Sequence, residues 1–228
     1  MENKIEELLA SLQIKPKNLD LYELALTHSS FNADARTKHH DYERLEYMGD
    51  AVLGFVVADL IYIEHPEMDQ GLMSKLRSHL VQSKALANYA RKIGLQNYIV
   101  TGHSIDHDAI MKSDKILEDV FEAMVGAIYL DQGIKKVYSY IKWIFFNAIK
   151  HVDEDSLTDY KTRLQEEMQS EYRDSVSYHL VKEEGPAHQK TFISEVRFND
   201  EVLASGRGKT KKESEQDAAK NALKKKAM

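Results

Sequence analysis

Two segments of this chain, residues 42–64 and 112–130, are each long enough for several helical turns, and each carries acids at one end of an otherwise apolar face. In the first, the stretch YERLEYMGD places Glu43, Glu46 and Asp50 three and then four residues apart. At 3.6 residues per turn that spacing stacks them on one side. From Ala51 to Ile63 only Asp59 is charged, and the acidic side continues through Gly54, Val57 and Ile61. In the second segment, Asp119, Glu122, Ala123 and Gly126 share one side, and only Glu122 is charged from Val120 to Leu130. Acids on a lone amphipathic helix ordinarily mark a solvated face. Here the face turns apolar within a turn, so it is buried or at an interface, and the small residues beside the acids let a second helix approach closely. If the two helices face each other, Glu46, Asp50, Asp119 and Glu122 converge as four oxygen donors, a set suited to magnesium or manganese. Leaving so much negative charge half buried with no cation is costly.

The rest of the first 150 residues keeps the same helical rhythm. Apolar positions recur at helical spacing over 2–12, 19–27, 73–93 and 134–150, with Pro66 ending the 42–64 helix and Gly94 and Gly133 marking further ends. After the polar stretch 151–156 the pattern changes. Residues 159–172 read as a helix, 176–182, 191–198 and 202–207 as strands, and 211–225 as a closing helix. Glu184, Gly185 and Pro186 form one turn, and Asn199 with Asp200 forms a tight hairpin. The expected organisation is therefore an all-α unit over 1–150, a linker over 151–156 and an α+β unit of α-β-β-β-α order over 157–228.

The formal net charge of −6 is unevenly spread. Residues 1–155 hold 17 Lys and Arg against 24 Asp and Glu, whereas 205–228 hold 8 against 3. A basic segment on an acidic protein is an electrostatic footprint for a polyanion, although a charge run alone is more often a solvated face. The chain has no cysteine, which excludes disulfides and thiolate metal sites, and its apolar runs are too short to span a membrane. A cytoplasmic protein without a small-molecule cofactor is expected. His103 and His107, with Asp106 and Asp108 nearby, sit in a stretch, TGHSIDHDAI, that reads as a polar loop rather than a metal site. No glycine-rich phosphate loop, Ser-His-Asp signature or HExxH pattern is present.

YERLEYMGDAVL, ALTHSS at residues 25–30 and EDVFEAMVGAIYLD at 118–131 together resemble ribonuclease III, the endonuclease of double-stranded RNA. DYKTRLQE at 159–166, GPAHQKTF at 185–192 and GRGKTKKESEQDAAKNAL at 206–223 resemble a double-stranded RNA-binding domain. The resemblance runs in order over nearly the whole chain. It implies that Glu46, Asp50, Asp119 and Glu122 ligate Mg2+, with Mn2+ as a substitute, and that Asp50 and Glu122 are central to catalysis. Glu43 becomes an outer or substrate-positioning group. Two ions would activate water and stabilise the leaving oxygen, giving 5′-phosphate and 3′-hydroxyl ends with short 3′ overhangs. Gln165, Glu166 and His188 are expected at minor-groove hydroxyls, and Lys209, Lys211 and Lys212 at the phosphates across the major groove. Lys220, Lys224, Lys225 and Lys226 read as a solvated tail. The resemblance also implies a homodimer with Tyr47 at its interface, processing of ribosomal RNA precursors and structured messages, and supporting roles for Lys75 and Arg77.

Two departures from the family pattern stand out. Tyr42 replaces a frequent Asn, which is expected to alter helix entry more than chemistry, and Gln70 replaces a common acid before Gly71. Two rival functions remain: a non-catalytic protein that sequesters RNA duplexes, and a metal-dependent phosphohydrolase of small nucleotides.

Overall fold

The protein, a computed structural model, is described over residues 2–33, 40–102, 106–186 and 189–226. It divides into two units, Met1–Glu154 and Asp155–Met228. The first contains helices α1 (Glu2–Ser11), α2 (Asp20–Ala25), α3 (Glu43–Glu64), α4 (Gln70–Leu80), α5 (Ser83–Lys92), α6 (His107–Lys112), α7 (Asp114–Gln132) and α8 (Ile134–Lys150). A one-turn helix, α9 (Glu154–Leu157), lies at the division. The second unit runs α10 (Tyr160–Tyr172), β1 (Ser177–Glu184), β2 (Thr191–Phe198), β3 (Glu201–Gly208) and α11 (Lys211–Lys226).

Helices α3 and α7 pack against each other at the centre of the first unit. Their sequences dictate this, because α3 buries Leu53, Val56, Val57 and Leu60 while α7 is buried almost without interruption from Val120 to Ile128. Each large aliphatic side chain removed from water contributes about 1.5–3 kcal/mol, so neither face could remain exposed. The approach is set by two glycines. A Cβ on Gly49 would lie 1.7 Å from the Glu122 carbonyl oxygen, and one on Gly126 would lie 2.3 Å from the Leu45 carbonyl oxygen. Around this pair, α5 and α8 add the rings of Tyr89 and Phe145, whose centroids are 4.6 Å apart, with Phe121 of α7 edge-on to Phe145. Asp131, at the end of α7, accepts hydrogen bonds from the Lys17 and Asn18 N–H groups and the Tyr22 hydroxyl, tying the segment before α2 to the central helix.

The expected single helix over 73–93 is two helices. Leu76 and Leu80 are buried in α4 and Leu86, Ala87 and Ala90 in α5. The intervening positions that would continue the stripe are the polar Ser83 and Lys84, so an unbroken helix would put them against the core. The chain turns at Gln82 instead, whose side-chain amide donates to the His79 carbonyl at 2.8 Å and satisfies an open end of α4. The first of the pair also starts earlier than expected, because the Asp69 carboxylate caps it by accepting from the Leu72 N–H at 2.9 Å. The expected polar loop around His107 contains α6, capped by Asp106, while His103 lies outside the described residues. Within the expected linker, α9 adds a helical turn. Among the described residues, no helix is long and apolar enough to cross a membrane.

In the second unit the three strands form an antiparallel sheet in the order β1-β2-β3. Asn199 and Asp200 adopt φ of +47° and +66°, the left-handed pair that closes a two-residue hairpin. The core joins Leu164 and Met168 of α10, Val196 and Ala204 of the sheet, and Ala218, Ala219 and Ala222 of α11. The lysines expected as a solvated tail are in part structural. Lys220 pairs with Asp155, Lys225 donates to the Leu203 carbonyl at 3.1 Å, and Lys226 lies 2.9 Å from Glu167 and 2.8 Å from Glu171. Ion pairs between residues far apart in sequence are invisible to a reading by local charge.

Candidate active site

Glu46 lies on the first turn of α3, which begins just after Tyr42, and Asp119 and Glu122 lie on the buried stretch of α7. Because the two glycines let the helix backbones touch, these three side chains are brought within reach of one another. One carboxylate oxygen from each lies within 4.8 Å of the others. Asp119 and Glu122 are each only 7% exposed. Asp50, one turn beyond Glu46, is exposed and stands outside this tight group, yet its charge acts on Glu122. Glu43 is exposed at the opening of the helix, where its charge reaches Glu46 and Tyr42.

Burial, and then the charges of Asp50, Glu118 and Glu46, push the Glu122 carboxyl up to about 8, against an opposing pull from Lys115. Burial and the Asp119 charge raise Glu46 as well. A carboxyl so far above its ordinary range is one whose ionised form lacks a partner. Hard oxygen donors in this number, with an ionised form waiting for compensation, fit a divalent cation of the magnesium or manganese class. The cluster therefore can hold a metal.

Three residues around the cluster carry more than their sequence positions announced. The Tyr42 side chain is buried and its hydroxyl points at Asp119 Oδ2 from 3.4 Å, so the departure at this position bears on the carboxylates as well as on helix entry. Burial, with the nearby Asp119 and Glu46 charges, holds its hydroxyl well above the usual phenol range. Lys115 and Glu118 also face the cluster, with Lys115 Nζ 2.6 Å from Asp119 Oδ1. By distance this is an ion pair, although its angle leaves that oxygen without an aligned hydrogen bond. The signal for Lys115 was its place four residues before Asp119, the spacing of neighbours on a helix face. The ALTHSS segment supports the site from behind: His28 Nδ1 and Ser30 Oγ are 2.8 Å apart, and the His28 ring packs edge-on to Tyr42. Lys75, Arg77 and Gln70 lie on α4, all exposed, with the Gln70 amide 3.3 Å from Ser74 Oγ.

In the second unit Lys209, Lys211 and Lys212 are exposed around the start of α11. That start is well formed. Thr210 Oγ1 accepts from the Glu213 N–H at 3.1 Å, and Glu213 Oε2 accepts from the Lys209 N–H at 2.8 Å. The positive end of the helix and the lysines thus present cationic charge on one edge. Lys211 Nζ also lies 3.9 Å from Glu183. Glu166 is exposed on α10, whereas the Gln165 side-chain oxygen is engaged by the Val176 N–H at 3.2 Å. His188 lies outside the described residues. Tyr47, on α3, is 79% exposed and turned away from the core.

Comparison with known proteins meets this geometry. Residues 18–149 match the family described as Ribonuclease-III-like, and residues 160–226 match the double-stranded RNA binding motif. The chain is 43% identical to Ribonuclease 3 of Aster yellows witches'-broom phytoplasma, over 97% of this chain and 91% of that protein. It is 38% identical to Ribonuclease 3 of Staphylococcus saprophyticus, over 98% and 92% respectively. Among solved structures, the nuclease domain of ribonuclease III from Campylobacter jejuni superposes with a TM-score of 0.60 at 33% identity, covering 67% of this chain and all of that domain. A second structure of that domain is described for flexibility in a region involved in its dimer formation. Dicer from Pichia stipitis matches with a TM-score of 0.51 at 25% identity, over 92% of this chain and 95% of that one. With a helical nuclease unit bearing the carboxylate cluster and a second unit built as a double-stranded RNA-binding domain, the chain belongs to the ribonuclease III family of double-stranded RNA endonucleases.

Proposed function

We propose that the chain hydrolyses duplex RNA at the cluster of Glu46, Asp119 and Glu122, with Asp50 as fourth ligand, leaving 5′-phosphate and 3′-hydroxyl ends with short 3′ overhangs. The observation that carries this reading is the convergence of three largely shielded carboxylates from two helices. Mg2+, with Mn2+ as substitute, supplies activation of a water and neutralisation of charge at the leaving 3′ oxygen. The protein's own part is positional. Glu46, Asp119 and Glu122 offer oxygens at spacings fixed by the contact of α3 with α7, and Asp50 closes the set from the solvent side by side-chain rotation. Glu43, further out on the same helix, orients substrate. Burial of Asp119 and Glu122 keeps bulk water from competing for the donors.

Lys209, Lys211 and Lys212 hold phosphates across the major groove, while Glu166, Gln165 and His188 meet hydroxyls of the minor groove. An isologous homodimer is supported by an exposed apolar stripe on α3, in which Tyr47, Phe55 and Tyr62 are 79%, 59% and 67% exposed. Each copy then cuts one strand, and the substrates are ribosomal RNA precursors and structured messages. The experiment is a gel assay with long duplex RNA, single-stranded RNA and duplex DNA, each with magnesium and with chelator, on wild type and Glu122→Gln. Magnesium-dependent shortening of duplex RNA alone, reduced at least about a hundredfold in the variant with duplex binding preserved, is the expected result. Binding without cleavage by the wild type would favour the sequestering protein.

A further inference from the structure

The cluster carries a cation of its own. Lys115 sits one turn before Asp119 on α7, and its Nζ lies 2.6 Å from Asp119 Oδ1, 3.5 Å from Glu118 Oε2 and 3.9 Å from Glu46 Oε1. Its side chain is 67% exposed, whereas those of Asp119 and Glu118 are 10% and 16% exposed. The ammonium thus enters from the solvent side and covers two of the three converging carboxylates. We propose that Lys115 is a tethered counter-ion of the metal site, which holds Glu46 and Asp119 together in the metal-free protein and withdraws onto Glu118 when a divalent cation binds. This rests on the reading of the cluster as the metal site and adds a determinant of its affinity.

An ammonium has three donors on a flexible stem, so it can bridge several carboxylates where a rigid fork could not. An oxygen 2.6 Å from an ammonium cannot also bind a metal at about 2.1 Å without bringing two like charges within a few ångströms of each other. Withdrawal needs no backbone movement, because Glu118 and Asp119 lie three and four residues from Lys115 on the same helix and already share its ammonium. Glu118 is then the alternative berth that makes release of Asp119 inexpensive.

The test measures metal binding, not cleavage. Mn2+ affinity is determined by electron paramagnetic resonance on the full chain for wild type, Lys115→Met, Glu118→Gln and Asp119→Asn, with Mg2+ by competition, and each protein is melted in chelator. Lys115→Met is expected to bind Mn2+ about tenfold more tightly at low salt, the gain shrinking as salt rises, and to melt lower in chelator than wild type. Glu118→Gln is expected to bind Mn2+ more weakly, since Lys115 loses its alternative partner. Unchanged or weakened Mn2+ binding by Lys115→Met, while Asp119→Asn abolishes it, would overturn the counter-ion role alone. Unchanged Mn2+ binding by Asp119→Asn would remove the metal site, and with it both readings.

Discussion

Burial and charge act strongly together on Glu122. Its carboxyl, raised to about 8 first by burial and then by Asp50, Glu118 and Glu46, keeps its proton in the folded, metal-free protein through a range where the unfolded chain has lost it. The folded state therefore holds the extra proton between about pH 4.5 and 8, so this group's contribution to stability is fully present below that window and declines as pH rises through it. Replacing Glu122 by Gln removes the decline. Melting in chelator is expected to show the variant ahead of wild type by about 1–3 kcal/mol at pH 8.5 and by little at pH 5. The same proton competes with the metal, so wild-type affinity for Mg2+ is expected to rise about tenfold or more from pH 6.5 to 8.5, as followed by titration calorimetry. A flat affinity across that range would show that Glu122 is already ionised. Tyr42 illustrates the limit of reading residues along the chain, because its partner Asp119 is 77 residues distant, whereas for Lys115 the same Asp119 is an ordinary helical neighbour.

At the scale of elements, the site depends on how closely two helices can approach. The acids of α3 and α7 were legible as one-sided clusters, and Gly126 as a small residue beside them, but the reciprocal role of Gly49 was not. It follows only from a crossing in which each glycine faces the other helix's backbone. Gly126→Ala would place a methyl 2.3 Å from the Leu45 carbonyl oxygen and must push the helices apart. A loss of about 3 kcal/mol or more in denaturant unfolding is expected, with a loss of metal affinity larger than that of a core substitution of equal cost placed away from the crossing, such as Ile149→Ala. On α11 the capping by Thr210 and Glu213 fixes where Lys211 and Lys212 emerge. Changing Lys209, Lys211 and Lys212 together to Ala is expected to weaken duplex binding at least about tenfold and to flatten its dependence on salt, as read by filter binding in calcium, since phosphate contacts release counterions. The α4–α5 break shows how a periodic pattern can mislead. The apolar spacing lapses for only a few residues, but burying Ser83 and Lys84 would have cost more than the hydrogen bonds given up at the turn, one of which Gln82 restores.

For the whole molecule, the exposed stripe of α3 has to be reconciled with a chain that is otherwise well supplied with surface charge. Tyr47, Phe55 and Tyr62 lie on one side of the helix, away from the face packed on α7. Phe55→Asp is expected to weaken self-association at least about a hundredfold, because an isologous contact counts each substitution twice; sedimentation equilibrium reads the change. A wild type that sediments as a monomer at micromolar concentration would refute the dimer. The sequence by itself determined the two-part organisation, the helix that bears Glu43, Glu46 and Asp50, the second acidic helix, the hairpin at Asn199 and Asp200, and the resemblance that led to the family. All of these are local signals: hydrophobic period, turn chemistry and short motifs. Only the tertiary structure decided that Glu46, Asp119 and Glu122 form the tight group while Asp50 stays exposed, that Lys115 enters among them, that Lys220 and Lys226 pair across their domain, and that Gln82 divides a helix. Those outcomes depend on side-chain reach and on backbone approach between segments far apart in the chain, quantities that no periodicity along a single segment contains.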